Sequence, residues 1–113
     1  LDQSSDGLPA VAQHLVRRLD GPRDGTLLRH AIGLELMKGG DNAGAALRFR
    51  EAVERDPEFS AGWKMLGKAL AEAEQAQAAL EAYTRGIEVA EARGDIQAAR
   101  EMKVFARQLI RSD

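Results

Sequence analysis

Residues 34 positions apart match along the middle of this chain, and that self-similarity constrains its fold more than any other feature. Gly33 matches Gly67, Leu36 matches Leu70, and Ala45 matches Ala79. Ile32 pairs with Leu66, Phe49 with Tyr83, Val53 with Ile87, and Glu54 with Glu88. A fixed period of this length marks stacked supersecondary units, each needing its neighbours to bury its apolar face.

Within each period the apolar residues recur at steps of three and four, the spacing of one helix face. Before the repeats, residues 1–7 read as a frayed polar tail, and Leu8, Val11, Ala12, Leu15 and Leu19 predict a helix over 8–20. Pro9 fits a first helical turn. The run from Asp20 to Gly25 is a breaker. A second helix is predicted over Thr26–Lys38, stopped by Gly39 and Gly40, with Asp41 or Asn42 capping the third. The third carries Ala45, Ala46, Phe49 and Val53 and ends before Asp56-Pro57. Ser60 is expected as the N-cap of the fourth, which holds Trp63, Leu66, Gly67 and Leu70. No glycine or proline lies between Leu70 and Ala79, and propensity alone would draw one helix from Ser60 to Ala92. The repeat instead requires a turn near Glu74–Ala76. The fifth helix has Ala79, Leu80, Tyr83 and Ile87 and closes at Arg93-Gly94. Asp95 is expected to cap a sixth, with Ala98, Ala99, Met102, Phe105, Ala106, Leu109 and Ile110 on one stripe and Val104 off it. Arg100, Glu101, Arg107, Gln108 and Arg111 lie opposite.

Composition narrows the function classes. The 113 residues suffice for one small domain. Hydrophobic residues make up 44%, yet only 4% are aromatic, so the core is built mostly from Ala and Leu and favours close helix packing. There is no cysteine, which removes disulfides, thiolate metal sites and cysteine nucleophiles together. That fits a reducing compartment and favours a cytoplasmic setting. Net charge is −2, with no basic tract to suggest nucleic acid and no apolar run long enough for a membrane span.

The second copy reads Trp63-x-x-Leu66-Gly67-x-x-Leu70, then Ala79-x-x-x-Tyr83. The first reads Arg29-x-x-Ile32-Gly33-x-x-Leu36, then Ala45-x-x-x-Phe49, then Pro57. This pattern resembles the tetratricopeptide repeat (TPR) family. The glycine and alanine lie where the two helices of a unit cross, the aromatic fills the gap between units, and proline sets the exit angle. Arg29 departs from the pattern by standing at the tryptophan position, and Glu91 by standing at the second proline. The resemblance implies an all-α, short right-handed helical-hairpin solenoid of about six antiparallel helices. Its parts would be repeats at 26–59 and 60–93, with capping helices at 8–20 and 95–111.

The resemblance also implies a function. The first helix of each unit lines a concave groove that holds a peptide or helix of a partner protein. Carried over by register, the groove takes Leu27, His30, Leu34, Met37 and Lys38 from the first copy and Ala61, Lys64, Met65, Lys68 and Glu72 from the second. It is expected to be mixed apolar and cationic, suited to a peptide with hydrophobic anchors and an acidic group. His30, Leu34 and Met65 replace the Lys or Asn that one subset of the family uses to clamp chaperone tails, so that mode is not expected. The alternative is a homodimer through Phe105 and Leu109 of the last helix. No enzyme activity, cofactor or metal site is expected: His14 and His30 have no third ligand, and the serines fall in tails or caps.

Overall fold

The computed structural model describes residues 10–19 and 25–111. Six α-helices form, with no strand among the described residues: α1 (Ala10–Val16), α2 (Thr26–Lys38), α3 (Asn42–Arg55), α4 (Ser60–Glu72), α5 (Ala76–Arg93) and α6 (Ile96–Arg111). The tail, Leu8 and the breaker residues from Asp20 to Asp24 lie outside the described residues. From α2 onward each helix packs on its chain neighbour, α1 covers α2, and α6 also reaches α4.

Three helices end in the same way. After α2, Gly40 turns left-handed at φ 86°, while Asp41 N–H donates to Leu36 O and Gly40 N–H to Met37 O. After α4, Glu74 does so at φ 62°, with Gln75 N–H on Leu70 O and Glu74 N–H on Ala71 O. After α5, Gly94 repeats it at φ 77°. These paired bonds satisfy the last carbonyls of each helix. The α4–α5 turn therefore falls where the repeat requires it, although a glutamate occupies the position that favours glycine. Asp41 caps α3 through its carboxylate, which accepts from Gly44 N–H at 2.9 Å.

The start of α4 differs from expectation. Phe59, not Ser60, precedes the helix as its N-cap, and Ser60 is buried as its first residue. The Ser60 hydroxyl donates instead to Asp95 Oδ2 at 2.7 Å, tying the beginnings of α4 and α6 together.

Glycine lets the helices of each unit approach. A Cβ on Gly33 would lie 2.6 Å from the Phe49 ring, and one on Gly67 would collide with the Tyr83 ring. Around these crossings Ile32, Leu36, Phe49, Leu66 and Leu70 join Ala45, Ala69 and Ala79 in one core shared by α2 to α5. Leu15, Val16 and Leu19 close that core at one end. A second cluster of Tyr83, Ala90, Ala98, Ala99 and Met102 joins α5 to α6, with Trp63 touching both. Met102 is fully buried, which contributes roughly 1.5–3 kcal/mol to holding α6 in place. Ile110 does not belong to the buried stripe, being 61% exposed.

Candidate interaction surface

The residues assigned to the groove fall into two groups with different surroundings. On α2, Leu34 and Met37 are half-buried against the core. Lys38 is exposed, its ammonium 3.2 Å from Glu35. His30 is held by aromatic rings: its centroid is 5.2 Å from that of Phe49 and 4.9 Å from that of Phe59, edge-on to the latter. Its Nδ1 is buried without a hydrogen-bond partner, and burial pushes the imidazole pKa below its ordinary 6.5. It therefore presents a neutral ring at neutral pH.

On α4, Met65 is half-buried against the core, and both lysines meet α6. Lys64 Nζ lies 3.2 Å from Glu101 Oε2, and Lys68 Nζ sits 5.5 Å from the centroid of the Phe105 ring. Lys64 and Lys68 are one helical turn apart, as are Glu101 and Phe105, so one turn of each helix meets one turn of the other. By register Ala98 and Met102 of α6 would face the groove, yet both are buried against α5. This rotation of α6 brings Glu101 and Phe105 onto α4.

An open cleft of about 370 Å³ remains beside that contact, lined by Lys68, Ala71, Glu72, Tyr83, Phe105, Gln108 and Leu109. Its walls combine an apolar floor with one exposed cation and one exposed carboxylate, Lys68 and Glu72. Burial, with the Glu72 charge adding to it, pushes the Tyr83 hydroxyl up to about 12, so it stays protonated at neutral pH. Of the ten residues assigned to the groove, this cleft takes Lys68 and Glu72. Phe105 and Leu109 were legible as a half-buried stripe, but their role as a cleft wall depends on how α6 is turned.

The opposite end of the repeat pair holds a polar feature hidden from periodicity. Arg29, at the tryptophan position, is only 7% exposed. Arg29 Nη1 lies 2.8 Å from Glu51 Oε1 on α3, and Arg48 Nη1 lies 3.0 Å from the same oxygen. Burial alone would raise the Glu51 pKa, but the hydrogen bonds and charges of the two arginines outweigh it and hold the carboxyl below its ordinary value. In the second unit, Trp63 packs on the core and donates its Nε1–H to Pro57 O at 2.8 Å. Among the described residues, no group of three His, Asp or Glu side chains converges as a metal site.

No protein-family model matches the chain. A TPR repeat-containing protein of Pseudomonas aeruginosa is 43% identical to it over 89 residues, 79% of this chain and 85% of the relative. Among solved structures, a Bordetella parapertussis protein is 33% identical with a TM-score of 0.79, the match covering 94% of this chain and 92% of the other. A tetratricopeptide repeat domain protein from Salinibacter ruber, solved as a crystal structure, is 26% identical with a TM-score of 0.73, covering 80% of this chain and 100% of the other.

Proposed function

The chain belongs to the tetratricopeptide repeat family, and on that premise we propose that it is a scaffold module that holds a short segment of a partner protein in the cleft between α4 and α6. TPR domains are generally non-catalytic interaction modules. The observation that carries the reading is the cleft itself: Phe105, Leu109 and Ala71 offer an apolar floor, with the exposed Lys68 ammonium beside them. An apolar anchor preceded or followed by a carboxylate suits those walls. Lys64 contributes less than Lys68, because Glu101 already pairs with it. His30, Leu34, Met37 and Lys38 on α2 do not line the cleft.

Self-association through Phe105 and Leu109 has less support, since both side chains are half-buried on the body of the domain. Light scattering decides between the two readings: a mass that stays monomeric as concentration rises excludes the dimer. The groove is tested by site-specific photocrosslinking in the source cells. A photoreactive residue replacing Glu72 in the cleft is expected to trap a defined protein that one replacing Gln77, exposed on α5, does not. Lys68→Glu should abolish that capture while leaving the melting temperature within a few degrees. Equal capture from both positions, or capture that survives Lys68→Glu, places the binding surface elsewhere.

A further inference from the structure

The solvent face of α6 differs in charge from the rest of the molecule. Of the chain's 16 Lys and Arg and 18 Asp and Glu, α6 holds four and one, so the helix is basic while the remainder is acidic. Its one carboxylate, Glu101, points at Lys64. The four cations Arg100, Lys103, Arg107 and Arg111 are spaced by three, four and four residues, which sets them on a single face. At 1.5 Å per residue that face is roughly 16 Å long. Lys103, at its edge, reaches Glu91 of α5 at 2.8 Å. Arg100, Arg107 and Arg111 are exposed and form no ion pair with any described residue. Val104, 42% exposed, lies among these arginines one turn from Arg100, and Ile110, 61% exposed, flanks them.

A face that only keeps the end of a helical stack soluble needs no single sign of charge. The outward charges elsewhere are interleaved: Arg85 stands 3.4 Å from Glu88 on α5, and Lys38 stands 3.2 Å from Glu35 on α2. Three guanidinium groups with no ion pair among the described residues, set around exposed apolar side chains, are instead complementary to a surface that supplies both carboxylates and an apolar residue. We propose that this face of α6 is a second docking surface, distinct from the α4–α6 cleft, which takes an acidic amphipathic helix of a partner protein. The partner helix carries Asp or Glu at steps of three and four along one side, each able to accept a bidentate guanidinium bond. Leu or Ile residues beside them cover Val104 and Ile110. A second copy of α6 does not fit, because it would set like charges against each other. Nucleic acid fits less well, because no aromatic side chain is available on this face and Phe105 turns into the body. A membrane surface fits less well, because the apolar stripe of α6 is spent on α5.

Fluorescence anisotropy with a labelled, end-capped synthetic helix tests this. The probe carries four Glu at the spacing of the arginines and two Leu beside them; a scrambled peptide of the same composition is the control. Saturable binding to the ordered peptide is expected, weakening as salt rises from about 50 to about 300 mM. Arg107→Glu with Arg111→Glu should weaken it by roughly tenfold or more, and a probe with Lys in place of Glu should recover binding to that variant. Lys68→Glu, which alters the cleft, should leave this binding unchanged, so failure here and failure of the cleft reading are separable. Equal binding of the scrambled peptide, or undiminished binding by the Arg107→Glu/Arg111→Glu variant, overturns the proposal. Tighter binding of poly(U) RNA or phosphatidylserine vesicles than of the ordered peptide overturns it as well.

Discussion

Arg29 Nη1 lies 2.8 Å from Glu51 Oε1, so the position that holds Trp63 in the second unit holds one end of a part-buried ion pair in the first. The pair joins α2 to α3 near the crossing that Gly33 and Phe49 make. Arg29→Met should lower stability by about 1–2 kcal/mol in urea unfolding, less than the ~3–5 kcal/mol of a fully buried pair, because Arg48 stays bound to Glu51. The folded pKa of Glu51 lies below its ordinary 4.5. Its stabilisation is therefore present above 4.5 and lost as pH falls through the folded value. Glu51→Gln should remove that acid-side dependence, seen as a shallower fall of melting temperature below about pH 4.5.

Glu74 occupies the left-handed position that Gly40 occupies one repeat earlier, at φ 62° against 86°. A side chain in that conformation costs roughly 1–2 kcal/mol, and glycine costs almost none. Glu74→Gly should raise stability by about 1 kcal/mol, or roughly 4 °C in melting temperature. Gly40→Ala should lower it by a similar amount. An unchanged melting temperature for Glu74→Gly would show that the turn relaxes without the paired bonds to Leu70 and Ala71.

That turn also shows how much of the fold was legible. Ala, Glu and Gln fill the stretch between Leu70 and Ala79 and are all good helix formers, so local propensity argues for one long helix. Only the match to the earlier unit locates the break, because the break is stabilised by stacking of units rather than by its own residues. The helix crossings were legible for the same reason: glycine facing an aromatic recurs 34 residues on. Ser60 was misread because a serine before a helical run has a strong local use, and its bond to Asp95, 35 residues away, exists only once α4 and α6 are stacked. The Arg29–Glu51 pair, 22 residues apart, has the same origin. In the candidate cleft, Lys68 and Glu72 could be placed by register, but Phe105 and Leu109 could not. The rotation of α6 is set by Met102 against Gly86 and Trp63, a contact with no counterpart in the repeat.

Gly67 and Gly25 make a matched test of the crossing. A Cβ on Gly67 meets the Tyr83 ring, whereas one on Gly25, ahead of α2, meets nothing within 4 Å. Gly67→Ala should destabilise by about 1–3 kcal/mol, because Tyr83 is enclosed by the second core cluster and has little room to move. Gly25→Ala should stay within about 0.5 kcal/mol of the parent. Restricting the unfolded chain with alanine would raise stability in both, so comparable losses in both would rule out the helix crossing as their cause.

His30 supplies a pH dependence of its own. Its ring is packed by Phe49 and Phe59, and burial lowers its pKa in the folded state below the ordinary 6.5. The unfolded chain thus binds a proton at higher pH than the folded domain does. Stability is fully present above 6.5 and declines as pH falls from there through the folded value, where the imidazole must charge among aromatic rings. This window opens at 6.5, above the 4.5 at which that of Glu51 opens, so the loss begins with His30. His30→Leu keeps an apolar body between the two phenylalanines and removes the titrating group. Its unfolding free energy should be flat between about pH 7 and 5, while the parent declines across the same range. Parallel slopes in the two proteins would show that other groups set the acid sensitivity of the domain.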